Sequence, residues 1–346
     1  MTMTNEPDDI TDFLVIGAGL AGLAFASEAR TQGATVRVLD KGRGVGGRMA
    51  TRRLETAGTE VRVDHGAQFF TARETRLSAW AQAGLAEGWL SVWTHGFPLW
   101  KDGTIHRREE GHPRYAPRNG MNELARRLGA GLTIERSTEV RSVTEENGVF
   151  VATAAAGERY RGRNLILNAP PVQVRNMARN LLSEETVRTL ESVEFLPAWT
   201  WMAVLSEDVP GADWPALEME HPVLGWVSRD HTKREPGGPP TLVAHGSGAW
   251  SREHSEDAPE TVLRHLTDAL RDTIGDVRFE TVQVHRWRYA QPIRPLTVPF
   301  LREGAHGPAC CGDWCGGPRV EGALESGWKL AEDFFCEKPS LSGNKA

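Results

Sequence analysis

A glycine-rich turn between a short apolar strand and a helix constrains this chain more than any other feature. Residues 12–16 (DFLVI) predict a buried parallel strand, residues 19–32 carry apolar side chains at helical spacing, and residues 35–39 (TVRVL) predict a second strand. The turn is Gly17-Ala18-Gly19-Leu20-Ala21-Gly22, and Asp40 follows the second strand. A GxGxxG turn in this context is typical of a dinucleotide-binding β-α-β unit.

Each of the three glycines of the turn is needed for a different steric reason. Gly17 permits a tight turn, Gly19 lets the backbone approach a pyrophosphate, and Gly22 lets the helix pack closely. The first N–H groups of the helix attract phosphate, and Asp40 can accept hydrogen bonds from ribose hydroxyls. We therefore expect an adenine dinucleotide at this turn.

Further motifs follow in a fixed order. The segment 41–49 has four glycines in six positions, and Arg48 can pair with a phosphate in fork geometry. Residues 64–70 (DHGAQFF) come next, and a Cys-Gly-Asp segment at 311–313 precedes a predicted helix at 318–335. The three glycine-containing segments 17–22, 42–48 and 312–323, found in this order, indicate a dinucleotide-binding protein more specifically than any one of them alone.

These segments resemble those of glutathione-reductase-like FAD proteins of the amine oxidase type. The resemblance implies a Rossmann FAD domain. Strand-like runs between about 175 and 300 predict a second α+β substrate domain on a mostly antiparallel sheet. Some relatives attach the flavin through a cysteine near the C-terminal motif, but the matching motif is absent here, which predicts FAD held without a covalent bond. The predicted FAD domain is discontinuous and comprises residues 1–80, 120–174 and 300–337, with the substrate domain at 81–119 and 175–299. The implied cofactor-binding residues are Gly17, Gly19, Leu20, Ala21, Gly22, Asp40, Lys41, Gly47, Arg48, Met49, Ala67, Gln68, Val140, Ala169, Gly312, Asp313, Val320, Gly322 and Ala323.

A narrower resemblance rests on four segments. Residues 46–53 (GGRMATRR), 64–71, 285–292 (HRWRYAQP) and 312–315 (GDWC) are similar to those of bacterial renalase-like proteins. This implies an oxidase that takes hydride from 2- or 6-dihydro isomers of NAD(P)H to flavin N5 and passes electrons to O2, giving NAD(P)+ and H2O2. The predicted substrate-shaping or catalytic residues are Gln68, His245, Trp287 and Arg288.

The roles of these four side chains stay open at this stage. Gln68 can orient substrate or bond the flavin ring, and His245 can face the cleft or be structural. Trp287 can stack on nicotinamide or pack in the core. Arg288 can meet a substrate phosphate or form a salt bridge between domains.

Other flavoprotein functions are alternatives, namely a flavin amine oxidase, a carotenoid-type desaturase or a non-catalytic flavin redox sensor. Many flavin amine oxidases place a mid-chain lysine near flavin N5. Lys101 lies in a Lys-Asp-Gly turn and Lys233 in a charged, Gly/Pro-rich loop, so we expect neither to be buried. This expectation favours the dihydronicotinamide over an amine.

Composition limits the partners. The formal net charge of −6 gives no broad attraction to nucleic acid or an anionic membrane, and no apolar run is long enough for a bilayer. The polar N-terminus lacks the pattern of a signal peptide, which predicts a cytoplasmic protein. The four cysteines lack the spacing and neighbouring ligands of a metal site, so no metal is expected. The sequence predicts no oligomeric state.

Overall fold

The protein has a mixed α/β fold built around two large sheets. The computed structural model describes residues 10–336, so residues 1–9 and 337 of the predicted FAD domain lie outside it. The strands are β1 Thr11–Ile16, β2 Val36–Leu39, β3 Thr51–Thr56, β4 Thr59–Asp64, β5 Leu90–Thr94, β6 Leu99–Lys101, β7 Thr104–His106, β8 Arg114–Pro117, β9 Thr133–Glu135, β10 Val140–Glu146, β11 Val149–Ala154, β12 Arg159–Leu167, β13 Phe195–Leu205, β14 Ala216–Glu220, β15 Leu224–Arg229, β16 Thr241–Gly246, β17 Phe279–Pro292, β18 Leu301–Arg302 and β19 Ala309–Cys310.

The helices pack mainly on the faces and ends of these sheets. Short 3₁₀ helices cover Gly47–Met49, Arg179–Leu181 and Asp230–Lys233. The α-helices are α1 Leu20–Thr31, α2 Thr75–Ala86, α3 Glu123–Leu128, α4 Pro171–Ala178, α5 Glu184–Glu191, α6 Gly248–Glu253, α7 Pro259–Ile274, α8 Asp313–Gly316 and α9 Val320–Phe335. No helix in the described part of the chain combines the length and the apolar character needed to span a membrane.

The first sheet has the predicted β-α-β unit at its centre. Its strand order is β10-β11-β12-β1-β2-β9, with β19 beside β12 and β18 beside β19. β1 pairs in parallel with β12 and β2, and β2 pairs in parallel with β9. The β10–β11 pair is an antiparallel hairpin whose turn has positive φ angles at Asn147 and Gly148.

One face of this sheet is covered by α1 and α9. The two helices approach so closely that a Cβ on Gly327 would lie 2.1 Å from the carbonyl oxygen of Ala21. Phe13 of β1, Phe25 of α1 and Phe334 of α9 pack edge to face with ring centroids 5.1–5.7 Å apart. This packing fixes where the first turn of each helix lies relative to the sheet.

The second sheet has seven strands in the order β17-β13-β16-β15-β14-β6-β7. Its neighbours pair antiparallel except β14 with β6, which are parallel. The long strands β13 and β17 form one edge pair, and the hairpin β3–β4 packs against the sheet through Leu54, which is fully buried beside Met202, Val204 and Val243. That hairpin therefore joins the two layers.

Two predicted domain boundaries fall inside helices. The boundary at 80/81 divides α2, and the boundary at 174/175 divides α4. Leu77 and Ala81 of α2 lie in the same core as α1, while Val174 and Ala178 of α4 lie in the core on the other face of the first sheet. Residues on both sides of each predicted boundary therefore pack in the cores of the first layer, and the division into two domains stays a prediction.

The contact between α1 and α9 gives a stability prediction. Gly327→Ala places a methyl group against the Ala21 carbonyl, so we expect the free energy of unfolding to fall by about 1–3 kcal/mol despite the better helix propensity of alanine. Urea denaturation measures this change. Gly238→Ala is the control, because a Cβ there meets nothing within 4 Å. Equal midpoints for the two variants would contradict the packing described here.

Candidate active site

A continuous cavity of about 2280 Å³ runs between the two layers. It is bounded by the loops that follow β1, β2 and β12 and the start of α9 on one side, and by β13, β16 and β17 on the other. Of the residues predicted from sequence, those that line it are Gly17, Gly19, Leu20, Ala21, Asp40, Lys41, Gly47, Arg48, Met49, Ala67, Gln68, Val140, Ala169, Gly312, Asp313, Val320, Ala323, His245, Trp287 and Arg288.

Two predicted cofactor-binding glycines do not line the cavity and serve packing instead. A Cβ on Gly22 would lie 2.4 Å from the carbonyl oxygen of Gly17, and a Cβ on Gly322 would lie 2.4 Å from that of Gly317. Each glycine lets the first turn of its helix lie directly against the preceding loop. Their effect on a ligand is therefore through the position of the two helices.

The floor of the cavity is the glycine turn packed on Asn168, a residue that sequence analysis missed. Gly17 has φ +107°, and a Cβ there would lie 2.0 Å from the Asn168 carbonyl oxygen. The Asn168 side-chain amide donates a 3.0 Å hydrogen bond to the Gly17 carbonyl oxygen and lies against Gly19 and Gly22 as well. The position directly after β12, where the chain returns beside the turn, was the available signal.

Two helix N-termini open onto this cavity without side-chain caps. The first turn of α1 contains no acidic residue, and no side chain bonds its free N–H groups. The first turn of α9 also lacks a cap, and its Glu321 accepts hydrogen bonds from the backbone N–H groups of Arg73 and Glu74 at 2.6 and 2.9 Å. Both helix ends are suited to bind anionic or electron-rich groups of a ligand.

Asp40 is held by the backbone of the turn. One carboxylate oxygen accepts a hydrogen bond from Ala18 N and the other from Gly42 N, both at 2.6 Å. Burial raises the pKa of Asp40 above its usual value, against the lowering effect of these two bonds. Each oxygen keeps a second lone pair, which leaves the ribose contact predicted for Asp40 geometrically open.

Arg48 and Asp313, both predicted to contact the cofactor, bind each other. The guanidinium donates two bonds of 2.6 and 2.7 Å to the Asp313 carboxylate and one of 3.1 Å to the Ala290 carbonyl. The pair joins the segment after β2 to the start of α8 and cancels the carboxylate charge. Arg48 keeps unused N–H donors, since a guanidinium carries five.

An aromatic cluster forms the opposite wall. The rings of His65, His285 and Trp287 lie within 4.4–5.1 Å of one another, and His285 and His245 sit on β17 and β16, both opposite Thr200 of β13. Burial lowers the pKa of His65 to about 3 and that of His245 and His285 to about 4. All three imidazoles are therefore neutral at pH 7.

Two imidazole nitrogens in this cluster lack partners among the described residues. Nδ1 of His65 and Nε2 of His245 are buried and make no hydrogen bond. A buried polar atom without a partner is costly, so these nitrogens are candidates for bonding a ligand. The Trp287 indole N–H is already used, because it donates to the His65 carbonyl oxygen at 2.9 Å.

The amide of Gln68 is occupied within the protein. Its Nε2 donates to the carbonyl oxygens of Asp64 and Gly66, and its Oε1 accepts from Ser228 Oγ at 2.9 Å and Lys233 Nζ at 3.0 Å. The side chain is 5% exposed. Gln68 thus braces the loop 64–70 and has no free amide hydrogen with which to bond a flavin or substrate.

The expectation that Lys233 is an exposed loop residue is wrong. The side chains of Lys233, Asp230 and Asp64 are fully buried, and Arg234 is 16% exposed. Lys233 Nζ lies 2.7 Å from Asp230 and 3.5 Å from Asp64, and Arg234 bonds both carboxylates at 2.6 and 3.1 Å. We call these four residues the ion quartet. Lys101, in contrast, is exposed as expected, and it pairs with Glu220.

The cavity wall is strongly basic. Thirteen lysine and arginine residues line it against seven aspartates and glutamates, a formal balance of +6 in a chain whose own net charge is −6. The basic residues are Lys41, Arg43, Arg48, Arg52, Arg53, Arg73, Arg114, Arg126, Arg136, Arg141, Arg286, Arg288 and Arg319. Such a cavity concentrates anionic ligands and disfavours polycations.

The predicted role of Arg288 has an alternative in the structure. Its guanidinium pairs with Glu256 at 2.9 Å and is half exposed, so this cation already has a counter-ion.

Cys310, Cys311 and Cys315 are free and buried, and burial raises the pKa of each thiol, to about 12 for Cys310. These three thiols are therefore unreactive at neutral pH.

Comparison with known proteins gives two family matches and a set of similar folds. Residues 15–83 match an NAD(P)-binding Rossmann-like domain, and residues 99–334 match the flavin containing amine oxidoreductase family. A protein provisionally named protoporphyrinogen oxidase, from Exiguobacterium sp. 255-15, superposes with TM-score 0.72 at 13% identity over 96% of this chain and 99% of that one. Wild-type putrescine oxidase bound to putrescine gives TM-score 0.67 at 13% identity, over 95% and 100%. At these identities the structural likeness establishes the fold alone.

The ion quartet gives a second stability prediction. Lys233→Met leaves two buried carboxylates facing one guanidinium, so we expect the free energy of unfolding to fall by about 3–5 kcal/mol. Lys101→Met removes an exposed, solvent-screened pair, so the loss of stability should be much smaller. Urea denaturation of both variants distinguishes these values. A loss at Lys233 no larger than that at Lys101 would show that the quartet is not a buried network.

The three imidazoles predict a pH dependence of stability. Their pKa values are lower in the folded than in the unfolded chain, so the unfolded chain binds more protons between pH 6.5 and about 4. The free energy of unfolding should therefore fall as the pH drops from 6.5 to 5. His65→Gln should reduce that slope by up to about 1.4 kcal/mol per pH unit, whereas His106→Gln, at an exposed site, should not. An unchanged slope in His65→Gln would contradict the burial of a neutral imidazole.

Proposed function

The chain belongs to the flavin-containing amine oxidoreductase family, and from that premise we propose that it oxidises the 2- and 6-dihydro isomers of NAD(P)H. The products are NAD(P)+ and, from O2, hydrogen peroxide. Its cofactor is FAD, bound non-covalently. When bound, FAD supplies the hydride acceptor and the centre that reacts with oxygen.

The residues present fit FAD. Gly17 and Gly19 of the turn line the cavity, and the uncapped start of α1 offers free N–H groups to a pyrophosphate. Asp40 keeps lone pairs for a ribose, and the uncapped start of α9 faces the same cavity. On these grounds we assign the first layer to the glutathione-reductase-like class of FAD folds.

One observation carries the choice of substrate: neutral aromatic rings line a wall in which basic residues outnumber acidic ones. His65, His245 and His285 are uncharged, and the nearby carboxylate of Asp313 is cancelled by Arg48. A dihydronicotinamide matches this wall, because its reacting ring is flat and uncharged and its phosphates are anionic. A diamine, which carries two positive charges, does not.

The protein's own groups would act mainly by positioning. The indole of Trp287 offers a flat apolar face, held in place by its bond to the His65 carbonyl. His245 Nε2 and His65 Nδ1 are free to bond the carboxamide of the nicotinamide. The ring nitrogen of the substrate drives hydride loss itself, so we assign no general base and expect the protein to act by holding the ring in place.

A flavin amine oxidase is the second candidate, and buried Lys233 favours it. Amine oxidation was disfavoured from the sequence because no buried mid-chain lysine was expected. The structure contains one, since the side chain of Lys233 is fully buried. However, Lys233 is not among the residues lining the cavity, and its ammonium is directed at Asp230 and Gln68. We therefore assign it a structural role beneath Gln68.

An anaerobic titration of the purified holoprotein separates the two candidates. We expect borohydride-generated dihydro-NAD isomers to bleach the long-wavelength flavin absorption within seconds, whereas putrescine, monoamines and authentic NADH leave it unchanged. Authentic NADH is the matched control, since it has the same charge and composition as the isomers. Bleaching by amines but not by the isomers would reverse the assignment.

A further inference from the structure

Arg52, at the edge of the candidate active site, has no counter-ion among the residues that the structure describes. It lies on β3 and lines the cavity. Its Nη2 donates to Nδ1 of His285 at 3.2 Å, and its Nε is buried without a partner. Within the described part of the chain, no carboxylate lies within 4.0 Å of its guanidinium. The Nη1 hydrogens are also unused by the protein.

The surroundings of Arg52 make this lack of a counter-ion costly. Side chains two residues apart on a strand share one face, so Arg52 lies on the same face of β3 as Leu54. Leu54 is buried in the apolar contact between the β3–β4 hairpin and the second sheet. Burial, together with repulsion from Arg43, lowers the pKa of Arg52, although arginine remains charged at neutral pH. A partly buried cation without a partner loses part of its hydration, which favours the binding of an anion beside it.

Other arginines near this end of the cavity are neutralised. Arg48 pairs with Asp313, Arg53 with Glu60, and Arg288 with Glu256. Arg43 lines the cavity and, like Arg52, has no carboxylate partner among the described residues. Six further basic residues of the cavity also lack a carboxylate partner among the described residues, namely Lys41, Arg73, Arg114, Arg136, Arg141 and Arg319. Arg52 differs from them in donating to a histidine of the substrate-side strand β17.

We propose that Arg52, with Arg43 as a second cation, forms an anion subsite that binds a phosphate group of the substrate. This inference rests on the proposed function for the identity of the phosphate-bearing molecule. The N–H of Arg52 that bonds His285 fixes the guanidinium plane, and its remaining Nη hydrogens are available as paired donors to phosphate oxygens. The subsite takes over the role predicted for Arg288, whose charge Glu256 already satisfies.

The subsite is distinct from the place expected for the cofactor pyrophosphate. That group is served by the uncapped N-terminus of α1 and by the spare donors of Arg48, on the first layer. Arg52 instead contacts β17, which carries Trp287 of the aromatic cluster. An anion held at Arg52 would therefore tie the substrate tail next to the rings that receive its nicotinamide.

Binding of inorganic pyrophosphate to the holoprotein tests the subsite without turnover. We expect pyrophosphate to perturb the flavin absorption spectrum of the wild-type holoprotein. Arg52→Gln should weaken its binding about tenfold or more, because the charge-assisted hydrogen bonds to the phosphate oxygens are lost. Arg53→Gln, the same change at the adjacent cavity-lining residue, should stay within about twofold because Glu60 already neutralises Arg53. Arg52→Lys keeps the charge but not the paired N–H donors of the guanidinium, so its loss of pyrophosphate affinity should lie between those of the other two variants.

A second measurement uses substrates with and without phosphate. Arg52→Gln should raise KM for dihydro-NAD isomers and leave KM for the matching dihydronicotinamide riboside isomers unchanged. Equal effects of Arg52→Gln and Arg53→Gln on pyrophosphate binding would overturn the proposal, as would release of FAD from Arg52→Gln with unaltered pyrophosphate binding in the remaining holoprotein. If the isomers fail to bleach the wild type while pyrophosphate binding still depends on Arg52, the subsite stands and only the substrate assignment falls.

Discussion

The close contact between the glycine turn and Asn168 determines where the elements around the cavity lie. Any side chain at Gly17 would meet the Asn168 carbonyl at 2.0 Å, so the end of β12 can lie against the turn only because the glycines lack a Cβ. That contact sets the start of α1, and the packing of α1 on α9 sets the start of α9. Two uncapped helix ends consequently face one cavity, which is the basis for binding a dinucleotide flavin there.

Gln68 lies between two groups of polar side chains whose charges are arranged differently, the ion quartet and the cavity wall. Behind it, the ion quartet of Asp64, Asp230, Lys233 and Arg234 is closed, with each cation bonded to a carboxylate and joining the hairpin to the second layer. In front of it, neutral imidazoles line a cavity whose basic residues outnumber its acidic ones. The first arrangement holds the layers together, and the second leaves charge available to ligands.

Local patterns in the sequence predicted the β-α-β unit, the helix that begins near residue 318 and the glycine turn, because glycine spacing and apolar periodicity are short-range properties. Features that depend on contacts between distant residues were missed. Lys233 looked exposed because Gly and Pro follow it, yet its partner Asp64 lies 169 residues away. Asn168 and the bond from Arg52 to His285 likewise became visible only when the chain was folded.

The central claim, that this cavity binds FAD through backbone and charge contacts alone, has a direct measurement. The purified protein is precipitated with acid, the supernatant is assayed for flavin, and the refolded apoprotein is titrated with FAD. We expect one FAD per chain in the supernatant and saturable rebinding that restores the visible spectrum. A colourless protein that refuses added FAD, or a flavin that stays with the precipitate, would contradict the claim.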